Sequence, residues 1–77
     1  MPKVRIFSTP TCSFCIVLKN FLKDNGVEFE DVDVSQDKQA QQEMVEGSGQ
    51  MGVPVTEIDG EYIVGFDQGR IKEKLGL

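Results

Sequence analysis

The sequence predicts one small α/β domain over residues 1–77, in the order β-α-β-α-β-β-α, with a four-stranded mixed sheet and helices on both faces. Two segments, residues 3–8 and 27–34, are rich in the β-branched and aromatic residues typical of strands. Between them, apolar residues recur at helical spacing. Turn signals separate seven such segments in all. A chain of this length buries only about 60% of its unfolded surface, so the core must be compact.

The first two elements are a strand over residues 3–8 and a helix, joined by a turn over residues 8–11. Pro10 disfavours helical backbone at the residue before it, so we expect the helix to begin at Cys12 or Ser13. Asn25 and Gly26 are its stop signal. The apolar stripe of this helix is predicted to be Phe14, Val17, Leu18, Phe21 and Leu22.

The next strand is predicted over residues 27–34. Its alternation points Val27 and Phe29 to one face and Val32 and Val34 to the other, which is typical of a sheet covered on both faces. A polar helix over residues 36–46 follows, with Ser35 as the predicted N-cap. Its narrow apolar stripe consists of Ala40, Met44 and Val45.

The last third of the chain predicts a loop over residues 47–52, a strand hairpin and a helix. Asp59 and Gly60 are a two-residue hairpin signal, so residues 61–64 should return antiparallel to the strand before them. Asp67 is the predicted N-cap of the last helix. The buried side of that helix carries Ile71 and Leu75. Because a helix joins the first two strands, they should be parallel.

Composition excludes several classes of function. The net charge of −5, with the eight basic residues scattered, argues against nucleic-acid or membrane partners. The absence of His excludes Ser-His and Cys-His hydrolases. No run reaches the ~18 apolar residues of a membrane span, and the start does not resemble a signal peptide. We therefore expect a monomeric protein in the cytoplasm.

Cys12 and Cys15 form a Cys-x-x-Cys pair at the start of a predicted helix. Residues at this spacing share a helix face, so the two can form a disulfide. A disulfide between them closes a loop of only a few residues and therefore contributes little to the stability of the fold. It is better suited to reversible reduction and oxidation. The helix N-terminus favours a thiolate at Cys12, which predicts Cys12 as the nucleophile toward a substrate disulfide and Cys15 as the resolving thiol.

Two other interpretations of this pair stay open. The pair could supply half of a zinc or iron–sulfur site shared between chains, since a self-contained site usually needs four ligands. It could also be an inert pair in an interaction module. We predict no metal ligands and no bound cofactor apart from the redox-active disulfide of Cys12 and Cys15.

These segments together resemble the glutaredoxin family, and the resemblance covers nearly the whole chain. Residues 6–15 resemble its strand–turn–active-site stretch, residues 52–54 its Thr-Val-Pro segment and residues 64–67 its Gly-Gly-x-Asp segment. The resemblance implies the thioredoxin fold, disulfide reductase activity, and a cis bond between Val53 and Pro54 that presents the Val53 backbone to a substrate. The substrate-binding residues that it implies are Thr11, Ser13, Phe14, Val53, Pro54, Gly65, Phe66 and Asp67.

Departures from the family pattern bear on the electron donor. Glutaredoxins that use glutathione commonly carry Lys where Thr9 stands, Thr where Gly52 stands and a second Asp where Gln68 stands. Gly65 and Phe66 are similar to the redoxins that feed ribonucleotide reductase, which a thioredoxin-reductase-type flavoprotein reduces. We therefore expect a disulfide-containing protein substrate, and as donor such a flavoprotein or, as a co-substrate, glutathione.

Ser13 supports one alternative function. Many dithiol members of the family carry Pro at this position, whereas Ser occurs in members that hold a two-iron, two-sulfur cluster between two subunits with glutathione. A cluster-bridging dimer is therefore the second hypothesis for this chain.

Overall fold

The computed structural model describes residues 3–77, so the first two residues of the domain predicted over residues 1–77 lie outside the described part. Seven elements follow in the predicted order. They are β1 (Val4–Ser8), α1 (Ser13–Asp24), β2 (Glu30–Asp33), α2 (Lys38–Ser48), β3 (Val55–Ile58), β4 (Glu61–Val64) and α3 (Gln68–Leu75).

The four strands form one mixed sheet in the order β2-β1-β3-β4. β1 runs parallel to β2, and β3 and β4 form an antiparallel hairpin, as predicted. β1 also runs antiparallel to β3, a pairing that the sequence did not predict. In this register β1, β2 and β4 end, and β3 begins, on the same side of the sheet. We call this side the Ser8 end, and its strand-terminal residues are Ser8, Asp33, Val55 and Val64.

Helices cover both faces of the sheet, which confirms the predicted layers. The α1 face, under α1 and α3, carries a buried cluster of Val4, Ile6, Leu18, Leu22, Ile58, Ile63 and Ile71. The α2 face, under α2, carries a second buried cluster of Phe7, Val34, Ala40, Met44 and Val55.

β2 is shorter than predicted, but its faces are correct. Val27 and Phe29 pack on the α1 face, whereas Val32 and Val34 pack on the α2 face. The strand does not reach back to Val27 because the Val27 amide donates to the Leu22 carbonyl at 2.9 Å and so closes the end of α1.

The buried stripe predicted for α1 is correct for Leu18, Phe21 and Leu22 and wrong for Phe14 and Val17. Cys15, Leu18 and Leu22 are the buried residues, whereas Phe14 and Val17 lie on the exposed side. Apolar residues occupy so much of this helix that two stripes satisfy helical spacing, and only packing on the sheet selects one.

α2 begins and ends two residues later than predicted, and Ser35 is not its N-cap. The Asp37 carboxylate caps it by accepting from the Ala40 amide at 3.0 Å. The Ser35 amide and hydroxyl instead donate to the Asp33 carboxylate, which tightens the turn before the helix. At its other end, α2 continues to Ser48 and so includes the first two residues of the predicted loop.

The remaining local predictions are confirmed. Asp59 and Gly60 both adopt positive φ, 50° and 88°, as a tight hairpin turn requires. Asp67 caps α3, and its carboxylate accepts from the Arg70 amide at 3.2 Å. On the inner side of α3, Ile71 is buried and Leu75 packs partly buried against the core.

Two packing features join α2 to the sheet. Arg5 of β1 forms ion pairs with Glu57 of β3 and Glu43 of α2, and the hydrogen bonds that its guanidinium donates to these carboxylates raise its pKa. Tyr62 of β4 stacks on Phe7 with ring centroids 6.2 Å apart, and its ring lies against the backbone of Gly47.

Candidate active site

Cys12 and Cys15 are joined by a disulfide at the start of α1. Their Cα atoms are 5.2 Å apart, within the separation of about 4.4–6.8 Å that a disulfide accepts. Cys12 is the N-cap and is half-buried, whereas Cys15 is 0% exposed. A large disulfide substrate can therefore reach the first sulfur but not the second.

The helix terminus supplies hydrogen bonding to the first sulfur. The Cys15 amide donates to Cys12 Sγ at 3.1 Å, which is the bond that an N-cap side chain makes. Such a bond is stronger to an anion, and the positive end of the helix dipole acts in the same direction. The surroundings of Cys12 therefore favour a thiolate there once the disulfide opens.

Three predicted segments meet at the Ser8 end of the sheet. The turn carrying Cys12 follows β1, the pair Val53 and Pro54 precedes β3, and Gly65 follows β4. The Gly65 amide donates to the Pro54 carbonyl at 2.9 Å, which ties two of these segments together. The bond between Val53 and Pro54 is cis, as the family resemblance implies.

The residues predicted to bind substrate have different degrees of exposure. Thr11 and Ser13 are exposed beside the cysteines, and the Phe14 side chain is 67% exposed. In the second segment, Val53 is half-buried and Pro54 is buried.

Phe66 and Asp67 already have structural partners. The Phe66 ring packs edge-to-face on Phe21, with centroids 5.7 Å apart, beside the buried cluster of the α1 face. The Asp67 carboxylate caps α3. Their role toward a substrate stays a prediction.

Met51 and Val64 are two exposed apolar side chains that the sequence did not single out. Met51 is 68% exposed and stands two residues before Val53, and Val64 is exposed at the Ser8 end of β4. A large apolar residue inside a loop rich in Gly and Ser is a signal that could have identified Met51. Together with Phe14, these residues give each of the three segments an exposed apolar side chain.

A polar network that joins β1, β2 and α1 was also not predicted. Ser8 Oγ donates to Asp31 Oδ1 at 2.8 Å, and Lys19 Nζ donates to Asp31 Oδ2 at 2.8 Å. Burial raises the pKa of Asp31, but the hydrogen bonds from Lys19 and Ser8 outweigh it, so the pKa lies below its usual range. Such a carboxylate is a weak base, so Asp31 is suited to holding Lys19, one turn after Cys15, rather than to accepting a thiol proton.

Within residues 3–77, no three His, Cys, Asp or Glu side chains are grouped so that they could hold a metal ion. Across the same residues, no helix combines the length and the apolar character needed to cross a bilayer.

Comparison with known proteins gives one consistent family. The glutaredoxin family model matches residues 4–63. A glutaredoxin-like 8.6 kDa protein in the rubredoxin operon of Clostridium pasteurianum is 46% identical over 68 residues, which cover 88% of this chain and 91% of that protein. Glutaredoxin 3 of Escherichia coli K12 is 33% identical over 67 residues, which cover 87% of this chain and 81% of that protein.

Solved structures agree with the family match. A mutant of the thioredoxin-like protein BC3987 superimposes with a TM-score of 0.90 at 32% identity, over 99% of this chain and 97% of that one. The expected thioredoxin/glutaredoxin fold is therefore confirmed.

Proposed function

This chain belongs to the glutaredoxin family and is a thiol–disulfide oxidoreductase, and on that basis we propose that it reduces protein disulfides through Cys12, with Cys15 as the resolving thiol. The observation that carries this assignment is the difference between the two sulfurs. Cys12 is half-buried and accepts a hydrogen bond from the Cys15 amide, whereas Cys15 is fully buried.

The proposed reaction has two exchange steps. The Cys12 thiolate attacks one sulfur of the substrate disulfide, forms a mixed disulfide and releases the other substrate sulfur as a thiolate. Cys15, as a thiolate, then attacks Cys12 Sγ, forms the Cys12–Cys15 disulfide and releases the second substrate sulfur. The Cys pair loses two electrons and the substrate gains them.

Recognition of the substrate is proposed to use the Ser8 end of the sheet. The Val53 backbone, just before β3, is proposed to pair with an extended peptide beside the substrate cysteine, as the family resemblance implies. Phe14, Met51 and Val64 supply exposed apolar surface in the three segments. These features suit a protein disulfide better than a small charged thiol.

We further propose that a thioredoxin-reductase-type flavoprotein is the donor, in preference to glutathione, and that the reaction takes place in the cytoplasm. Thr9 and Gln68 leave neutral side chains where glutathione-dependent relatives commonly carry charges for the carboxylates and the amine of glutathione. A cytoplasmic setting keeps thiols reduced, as a dithiol donor requires.

Reduction of insulin disulfides with dithiothreitol as electron source tests the roles of the two cysteines. Cys12→Ser should abolish the reduction. In a separate incubation, reduced Cys15→Ser freed of dithiothreitol and mixed with insulin should accumulate a mixed disulfide at Cys12. Mass spectrometry detects this adduct, and added reductant should release it. Full activity in Cys12→Ser, or a trapped adduct on Cys15, would show that the roles are assigned wrongly.

Coupled turnover tests the donor. The oxidised protein is mixed either with NADPH and a thioredoxin-reductase-type flavoprotein, or with NADPH, glutathione and glutathione reductase, and NADPH absorbance is followed. We expect faster oxidation of NADPH with the flavoprotein. Introducing Thr9→Lys and Gln68→Asp together should raise the glutathione rate and leave the flavoprotein rate nearly unchanged. Faster turnover of the unaltered chain with glutathione would contradict the proposal.

A further inference from the structure

Thr56 carries a buried hydroxyl with no hydrogen-bond partner among the described residues. Its side chain is 0% exposed, in the middle of β3. Its register partners on the neighbouring strands are Ile6 and Ile63, both apolar. Buried hydroxyls nearly always have a partner, because leaving one unpaired costs free energy. A Val would occupy the same volume without that cost, so the hydroxyl calls for an explanation.

The sheet register places Thr56 on the α1 face, in the half of β3 nearer the Ser8 end. Ile6 and Ile63 belong to the buried cluster of the α1 face, so Thr56 between them points to that face. α1 starts at the Ser8 end, and its buried stripe runs from Cys15 to Leu18 and Leu22. Leu18 packs in the same cluster, and Cys15 lies one turn nearer the Ser8 end.

The sheet face near Cys15 holds two buried polar side chains, Ser8 and Thr56. The Ser8 hydroxyl proton is already donated to Asp31. Thr56 Oγ1 has both its proton and its lone pairs uncommitted. In the disulfide state the Thr56 hydroxyl bonds neither Cys15 Sγ nor any other described atom, so it is free to take up a new hydrogen bond.

We propose that Thr56 is the hydrogen-bond partner of Cys15 in the dithiol state, an inference that rests on the proposed role of Cys15 as the resolving thiol. When a dithiol reductant opens the disulfide, the Cys12–Cys15 bond breaks and the reductant forms its own disulfide. Two electrons and two protons pass to the Cys pair. The Cys15 thiol then donates to Thr56 Oγ1, and when Cys15 ionises the Thr56 hydroxyl donates to the thiolate.

A bond made only in the dithiol state shifts the redox equilibrium toward that state. Thr56→Val removes it and also removes the unpaired hydroxyl of the disulfide state. We expect the equilibrium constant for reduction to fall about five- to tenfold, which for a two-electron couple lowers the potential by about 20–30 mV.

The test equilibrates the full-length protein in buffers of oxidised and reduced dithiothreitol, with the fraction of free thiol measured by alkylation and mass spectrometry. Four proteins are compared: the unaltered chain, Thr56→Val, Thr56→Ser and Ile58→Val. Ile58 is buried on the same face at the other end of β3, so Ile58→Val controls for a change in packing. We expect Thr56→Ser to restore most of the potential and Ile58→Val to leave it unchanged. Equal potentials for Thr56→Val and the unaltered chain would overturn the proposal.

Unfolding measurements supply a second readout. If the hydroxyl were only a packing defect, Thr56→Val would stabilise the disulfide and dithiol forms equally, and that result would also overturn the proposal. We expect the stabilisation to be larger in the disulfide form. The redox equilibrium is measured without a protein substrate. Failure of insulin reduction would therefore reject the proposed function, whereas the potential of Thr56→Val would still test the role of Thr56.

Discussion

Cys12 and Cys15 are identical side chains that one helix places in different surroundings. Cys12 stands at the N-cap, where the Cys15 amide bonds its sulfur. Cys15 lies on the face of α1 that packs on the sheet and has no exposed surface. The proposed role of Cys12 as nucleophile therefore requires no additional base beside it, because the helix N-terminus itself stabilises the negative charge that develops on Cys12 Sγ.

Gly47 of α2 stands where an added side chain would disturb Tyr62 of β4. A Cβ at position 47 would overlap the Tyr62 ring, which stacks on Phe7. We expect Gly47→Ala to destabilise the protein by about 1–3 kcal/mol in urea unfolding, because the overlap outweighs the gain in helix propensity.

Gly69 in α3 is the matched control for this substitution. Its Cβ would meet only Asp67 Oδ1, at an ordinary 3.8 Å. Gly69→Ala should therefore raise the stability by up to about 1 kcal/mol. Equal effects of the two substitutions would show that the packing of Tyr62 on Gly47 does not constrain the fold.

The candidate site could be predicted from the sequence only where its chemistry is local. The spacing of Cys12 and Cys15 is a local pattern, and the resemblance supplied Val53 and Pro54. Asp31 and Thr56 could not be found in this way, because Asp31 gains its hydrogen bonds from other elements and the burial of Thr56 depends on how the strands pair.

At the scale of elements, the start of α2 is decided by a competition between two capping residues. Ser35 and Asp37 are both good N-cap types, and the sequence does not rank them. Asp33 settles the choice in the structure, since its carboxylate accepts from the Ser35 amide and hydroxyl and so holds Ser35 in the preceding turn.

Substitution of the cap tests this arrangement. Asp37→Ala should lower the free energy of unfolding by about 1 kcal/mol, whereas Asp37→Asn should retain most of it because the amide oxygen can still accept from Ala40. Ser35→Ala should cost less than Asp37→Ala. A larger loss for Ser35→Ala in thermal unfolding would place the cap at Ser35 after all.

The element order, the parallel pair of β1 and β2 and the final hairpin were predictable from the sequence, whereas the rotation of α1 about its axis was predicted only in part. Asp59 and Gly60 fix the hairpin through their turn chemistry, which is a property of two adjacent residues. The phase of α1 depends on which apolar side chains meet the sheet, and the alternatives differ only by a rotation of the helix.

At the scale of the whole molecule, Asp31 joins α1 and two strands through its bonds to Lys19 and Ser8. Because these bonds lower its pKa from the ordinary 3.8, the folded state prefers the ionised carboxylate. The resulting stability is present above the ordinary pKa and is lost as the pH falls through the lowered native value.

Unfolding measured from neutral to acidic pH tests this linkage. Asp31→Asn should reduce the stability at neutral pH by about 0.5–1 kcal/mol, a modest figure because the Asp31 side chain is 51% exposed. The difference from the unaltered chain should shrink toward acid, where both carry a neutral side chain. A constant difference at all pH values would mean that the Asp31 charge contributes nothing.

Oligomeric state under cluster-forming conditions is a second property of the whole molecule. We expect anaerobic reconstitution with iron, sulfide and glutathione to leave a colourless monomer in size-exclusion chromatography. Ser13→Pro should behave identically, since we assign no cluster ligand to this segment. A coloured dimer that is lost in Ser13→Pro would favour the cluster-bridging hypothesis.

The acidic residues of β2 also affect how two molecules can associate at high protein concentration. It lies at one border of the sheet, and three of its four residues, Glu30, Asp31 and Asp33, are acidic. An open strand border is a template on which a second molecule can extend the sheet. Two copies that met there would align like charges along the shared border, offset in part by Lys19 and Lys23 near Asp31. The molecule can therefore expose a strand beside its redox centre without polymerising through it.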